Sequence, residues 1–215
     1  MSSLQTRAKR IFLLSPAKIN GIRARLVTGE NTRSHIAHRL RQEGVSLGEL
    51  FTFLSGLYFR GKLEYARTFA AAPSNIPACM VITAGAGLVT PDRVVTLDLL
   101  QDMSLVALDP RDARYRDPLD RDARALLGSA GPDCQIVLLG SIATPKYVEP
   151  LTEIFGRQLV FPSEFIGRGD MSRGGLMLRC VQAGIPLTYI PVIGATCHGR
   201  KPPKLAPLPA TKLPV

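Results

Sequence analysis

The chain predicts an α/β fold: a single domain with a mixed, largely parallel sheet flanked by helices. Short apolar runs at 11–14 (IFLL), 78–83 (ACMVIT) and 135–139 (QIVLL) each lead into small or polar residues, and stretches with helix start and stop signals separate them. Apolar runs of this length bounded by turn residues are the pattern of buried strands, and strands alternating with helices imply parallel pairing. At 215 residues, 46% hydrophobic and 20% charged, the chain suits one domain over 1–200 and an extended proline-rich tail over 201–215.

The first strand ends in Ser15-Pro16-Ala17-Lys18, a loop that continues through Asn20-Gly21 and past Arg23, Arg25 and Arg33. Residues 32–43 have helical character, with Asn31 or Thr32 as cap and Gly44 as stop. His35 and His38 share a face of that helix without a third ligand, so a solvated or half-buried pair is expected and no metal site. Ser46-Leu47-Gly48-Glu49 is a capping box that starts a second helix running to about Leu57. A third follows in FRGKLEYARTFAAA and ends at Pro73; Leu63, Ala66 and Phe69 or Ala70 form its apolar side, and Arg60, Lys62 and Arg67 supply positive charge.

The 78–83 strand leads into Gly85 and Gly87, small residues at a strand end that let a ligand or another backbone come close. Thr90 occupies the third glycine position of a dinucleotide fingerprint, so that motif is absent and no cofactor is expected. Residues 109–124 (DPRDARYRDPLDRDAR) alternate acids and arginines closely enough to neutralise one another on a solvated loop and helix face. The 135–139 strand closes on Gly140-Ser141, Pro145 opens a helix that runs to Gly156, and 158–161 and 187–192 are further strands. The last fifteen residues hold five prolines and no acid, an extended segment suited to docking a protein partner.

Net charge is +10, carried as +8 over residues 1–67, −4 over 68–156 and +6 over 157–215. If the two basic ends lie side by side, they form a positive face for nucleic acid or a phosphorylated ligand. No apolar run approaches the ~18 residues of a membrane helix, and IFLL is too short for a signal-peptide core. Cys79, Cys134, Cys180 and Cys197 form no CxxC pair, so reduced thiols in a cytoplasmic protein without membrane association are expected. Cys197-His198 is a neighbouring pair, but adjacency in sequence is not the geometry of a thiolate–imidazole nucleophile.

The densest chemistry lies in 163–179 (SEFIGRGDMSRGGLMLR), with four glycines, three arginines and two acids. Asp170 or Ser172 is placed to cap a helix that begins near Met171 and ends at Gly184. Backbone N–H groups at that start, with Arg168 and Arg173 beside them, suit a phosphate or carboxylate; the alternative is a tight turn in which arginine and aspartate pair with each other.

Three segments in order, IFLLSPAK, LYFRGKLEYARTF and VITAGAGLVTPDRVVTLDLLQDM, resemble the YaaA-like peroxide-stress proteins and their smaller bacterial and phage relatives over residues 11–103. The resemblance implies a mixed α/β fold, a positively charged cleft and DNA binding tied to protection from damage or to DNA modification and defence. It falls on Ser15, Pro16, Ala17, Lys18, Gly87, Val89 and Pro91, and does not extend to 163–179.

Two function classes follow. In the first, a nucleic-acid- or nucleotide-associated protein holds phosphates against Lys18, Arg23, Arg25, Arg168 and Arg173, with Ser15, Gly85, Gly87, Ser141 and Ser172 completing the cleft. In the second, an enzyme acts at the glycosidic bond of a nucleotide or sugar phosphate, with Asp170 or Glu164 as acid, base or nucleophile. A carboxylate inside the pocket separates the second from the first.

Overall fold

Residues Ile11, Phe12, Leu13 and Leu14 are all fully buried, which places their strand at the centre of a sheet covered on both faces. The computed structural model describes residues 8–29, 32, 34–196 and 199–205, and Asn31, Cys197, His198 and the tail beyond Leu205 lie outside them. Along the chain run β1 (Arg10–Leu14), α1 (Ile22–Thr28), α2 (His35–Gln42), β2 (Val45–Ser46), α3 (Leu47–Ser55), α4 (Leu57–Phe69), β3 (Cys79–Thr83), β4 (Gly87–Val89), β5 (Val94–Val95) and α5 (Leu97–Ser104). These are followed by α6 (Ala113–Ala130), β6 (Gln135–Leu139), α7 (Pro145–Phe155), β7 (Leu159–Pro162), α8 (Asp170–Ala183) and β8 (Tyr189–Pro191).

The main sheet has the order β4-β3-β1-β6-β7-β8. β3, β1, β6 and β7 are parallel, with Phe12 opposite Cys79 and Val137, while β4 and β8 close the edges in antiparallel pairing. From β1 the chain crosses to β3 on one side, then returns to β6 on the other. The carboxyl ends of β1 and β6 therefore flank the topological switch point, where open α/β sheets form their ligand crevice.

Local signals placed most elements. The Ser46 hydroxyl accepts from Glu49 N at 3.3 Å as a capping box requires, Pro145 opens α7, and Gly184 ends α8 in the left-handed conformation. Three local expectations are corrected. Residues 22–28, expected as loop, form α1; its inward side is only Ala24 and Val27, so no apolar stripe announced it. α2 starts at Ser34 rather than at residue 31 or 32, and α8 starts after Gly169, with Asp170 as its first residue.

Residues 109–124 do pair internally, through Arg111–Asp109, Arg114–Asp112, Arg116–Asp120 and Arg121–Asp122. Tyr115, Leu119 and Ala123 nevertheless give α6 a buried face. The same helix explains Gly87. A Cβ there would fall 2.1 Å from Asp122 Oδ2 and 2.7 Å from the Pro118 carbonyl oxygen, and Asp122 accepts from Leu88 N at 2.9 Å. The small residues after β3 let a hairpin pack on α6.

α4 and α8 make the most extensive helix contact of the fold. They cross at glycine: a Cβ on Gly61 would lie 2.7 Å from the Gly174 carbonyl oxygen, and one on Gly174 the same distance from that of Leu57. This crossing packs α4, from the basic segment 1–67, on α8, from the basic segment 157–215, with Gly174 against Leu57, Tyr58 and Gly61 in the first half of α4.

Candidate functional site

α4 buries Tyr58, Phe59, Leu63, Tyr65, Ala66 and Phe69, and on the same inward side it buries Lys62. The Lys62 side chain is 0% exposed, which corrects its expected place among the surface charges. Its Nζ donates to the Ser15 carbonyl oxygen at 2.5 Å and to Ser15 Oγ at 3.0 Å. It lies 4.4 Å from the Tyr58 ring centroid and 4.9 Å from that of Phe59. Burial pushes the ammonium down to about 7, with the negative charge of Asp170 acting in the other direction.

Ser15 sits where β1 ends, and its N–H donates to the Leu139 carbonyl oxygen at 3.1 Å across to β6. Gly140 follows on β6. A Cβ there would fall 3.1 Å from Ser15 Oγ and 3.0 Å from the Tyr147 hydroxyl, so both hydroxyls converge over this glycine. The Tyr147 oxygen accepts from Ser141 N at 3.2 Å. Burial raises the Tyr147 phenol, and the neighbouring Ser15 hydroxyl and Ser141 N–H act against that rise. Tyr58 is raised by burial and then by Asp170.

Over this floor opens a cavity of about 910 Å³. Residues 15–20, Ser141, Thr144, Lys146, Tyr147 and Asp170 supply most of its polar lining, and Phe51 and residues 103–108 most of its apolar lining; Asp109, paired with Arg111, also borders it. Asp170 is 63% exposed and accepts from Arg173 at 3.3 Å. Ser15, Lys18, Ser141 and Asp170 therefore share one lining, which Ala84 joins after β3, whereas Gly85, Gly87, Arg168, Ser172 and Arg173, expected in the same cleft, are not part of it.

Other candidates fall outside the lining. Gly85 and Gly87 belong to the hairpin on α6, as described. Arg168 donates to the Glu164 carbonyl oxygen at 3.1 Å and to Ser172 Oγ at 3.2 Å. Arg173, 13% exposed, donates twice to the Phe165 carbonyl oxygen, at 3.3 and 3.1 Å, and lies 5.5 Å from that ring. These arginines hold the turn before α8 in shape. The Glu164 carboxylate accepts from Thr188 N at 3.0 Å, fixing the approach to β8. Arg23 donates to the Phe53 carbonyl oxygen at 3.4 Å, and Arg25 borders a separate cavity of about 460 Å³.

Lys62, Tyr58, Tyr147 and Lys146 are the site residues that sequence reasoning missed. Tyr58, Lys62, Tyr65, Ala66 and Phe69 follow one helical stripe, so the spacing alone put Lys62 on the apolar face. Comparison of the chain with family models, curated proteins and solved structures finds no match.

Proposed function

We propose that the switch-point cavity takes a phosphorylated small molecule, a nucleotide or a sugar phosphate, and that the protein acts on it as an enzyme. The observation that carries this reading is the Asp170 carboxylate, which lines the same walled space as Lys18 and Lys146. The two lysines suit the phosphate as mobile point charges, and the exposed carboxylate serves proton transfer at the glycosidic bond of the bound ligand. A polymer-binding groove needs neither a walled cavity nor a carboxylate within it.

Turnover of adenosine 5′-monophosphate and uridine 5′-monophosphate, followed by chromatography for the free base and ribose 5-phosphate, tests this in wild type and Asp170→Asn. Product formation that falls by about 100-fold or more in the variant supports it. A wild-type chain that neither binds nor converts either compound overturns it.

Nucleic-acid association is the second reading. Its support is the net charge of +10 and the packing of α4 on α8, which joins one helix from each basic segment of the chain. The resemblance of residues 11–103 to the YaaA-like proteins points the same way. Duplex binding that weakens steeply with salt, and persists in Lys18→Ala/Lys146→Ala, would place that function on the outer surface rather than in the cavity.

A further inference from the structure

We propose that Ser15 and Lys62 form a nucleophile–base pair that opens on the cavity and accepts the acyl group of a carboxylic ester. This goes beyond the phosphorylated-ligand reading: it uses the same cavity but depends neither on Asp170 nor on what the lysines at the rim hold.

A serine hydroxyl becomes a useful nucleophile when a neighbouring base takes its proton. Lys62 Nζ lies 3.0 Å from Ser15 Oγ, and among the described residues no carboxylate closes a hydrogen bond with that amine. Its partners are the Ser15 carbonyl oxygen, the Ser15 hydroxyl and two aromatic faces. Such surroundings favour the neutral amine, as burial does for lysine generally. One amine hydrogen then remains on the carbonyl oxygen, and the lone pair faces Oγ. Ser15 lines the cavity while Lys62 is sealed beneath it, so an ester reaches the oxygen and not the amine. The Tyr147 hydroxyl stands beside Ser15 as a donor for a developing oxyanion, and Leu105, Val106 and Leu108 of the same lining offer apolar surface to an acyl chain.

The step balances as follows. Ser15 Oγ bonds to the carbonyl carbon, its proton passes to Lys62 Nζ, and the carbonyl π pair moves onto oxygen. Collapse breaks the carbon–oxygen bond to the alcohol, which leaves with the proton that Lys62 returns. Water then attacks the acyl-serine, giving its proton to Lys62, and the carboxylic acid departs as Ser15 regains a hydrogen. The sum is ester plus water to acid plus alcohol.

A fluorophosphonate tests the pair directly, because Oγ displaces fluoride from phosphorus and the adduct is found by peptide mass mapping. The expected result is one adduct on Ser15, absent in Ser15→Ala, with the labelling rate lowered by about 100-fold or more in Lys62→Met. In wild type the rate should rise between about pH 6 and pH 8 and then level off. The charged and titratable groups facing the pair are Tyr58 of α4, Tyr147 of α7 and Asp170 and Arg173 of α8. Because the Asp170 charge holds the lysine up, Asp170→Asn should move that rise to lower pH, and such a shift assigns the profile to Lys62. No adduct on Ser15 in the folded wild-type chain overturns the proposal, as does a folded Lys62→Met that labels at the wild-type rate. If Lys62→Met does not fold, a wild-type rate that stays flat from about pH 6 to pH 9 overturns it. Calorimetry with adenosine 5′-monophosphate on the same samples separates the two claims: binding without labelling removes only this one, and labelling without binding removes only the phosphorylated-ligand reading.

Discussion

Gly61 and Gly174 meet so closely that a Cβ on Gly61 would stand 2.7 Å from the Gly174 carbonyl oxygen. This crossing seats α4, which carries Lys62, against α8, which begins at Asp170. Gly174→Ala puts a methyl group 2.7 Å from the Leu57 carbonyl oxygen and 2.9 Å from Tyr58 Cα, with backbone on the other side and nothing flexible to yield. The expected outcome is a loss of about 1–3 kcal/mol in chemical denaturation, despite the better helix propensity of alanine. Gly128→Ala on α6, where a Cβ meets nothing within 4 Å, should stabilise slightly and serves as the control.

Stability should also depend on pH through Lys62. In the unfolded chain the amine titrates near its ordinary 10.5; in the fold it is pushed down to about 7. Between those values the unfolded state binds a proton that the folded state releases, so stability rises with pH from about 7 upward. The gain from pH 7 to pH 9 is about 2 kcal/mol, and Lys62→Met should lack it. Cys79, raised by burial from 9.0 to about 12, and Cys134 and Cys180, raised for the same reason, work in the opposite direction as pH approaches 9, so the difference between wild type and Lys62→Met at pH 7 and pH 9 isolates the lysine.

Tyr65 offers a test of the fold away from the cavity. Its hydroxyl accepts from Leu187 N at 2.7 Å and shares a 2.5 Å hydrogen bond with the Tyr189 hydroxyl, tying α4 to the segment before β8. Tyr65→Phe leaves a buried backbone N–H without its acceptor. A loss of about 1–3 kcal/mol is expected, measured by thermal or urea unfolding, with fluorophosphonate labelling of the folded fraction unchanged.

Much of this architecture was legible because its signals are local. The apolar runs 11–14 of β1 and 136–139 of β6, the Ser46 cap, Pro145 at the start of α7 and Gly184 at the end of α8 each state their role within a few residues. The shared lining of Ser15, Lys18 and Ser141 agrees with the rule that ligands gather at strand carboxyl ends; Asp170 joins them from a helix start, and Gly85, Gly87, Arg168 and Arg173, expected with them, do not. What stayed hidden depends on partners far along the chain. Gly174 resembled part of an anion loop, but its reason is Leu57 and Gly61, more than a hundred positions earlier. Gly87 answers to Asp122, and the Ser15 loop is held by Lys62, 47 residues on. A lysine in an apolar stripe looks like surface charge until the fold closes over it.

The most direct test of the central claim is isothermal titration of the wild-type chain and Lys18→Ala/Lys146→Ala with adenosine 5′-monophosphate. Saturable binding by wild type, weakened about tenfold or more in the double variant, is the expected result for a phosphate held by the two rim lysines. Wild-type binding that the double substitution leaves unchanged, or none at all, would contradict the cavity as a site for phosphorylated ligands.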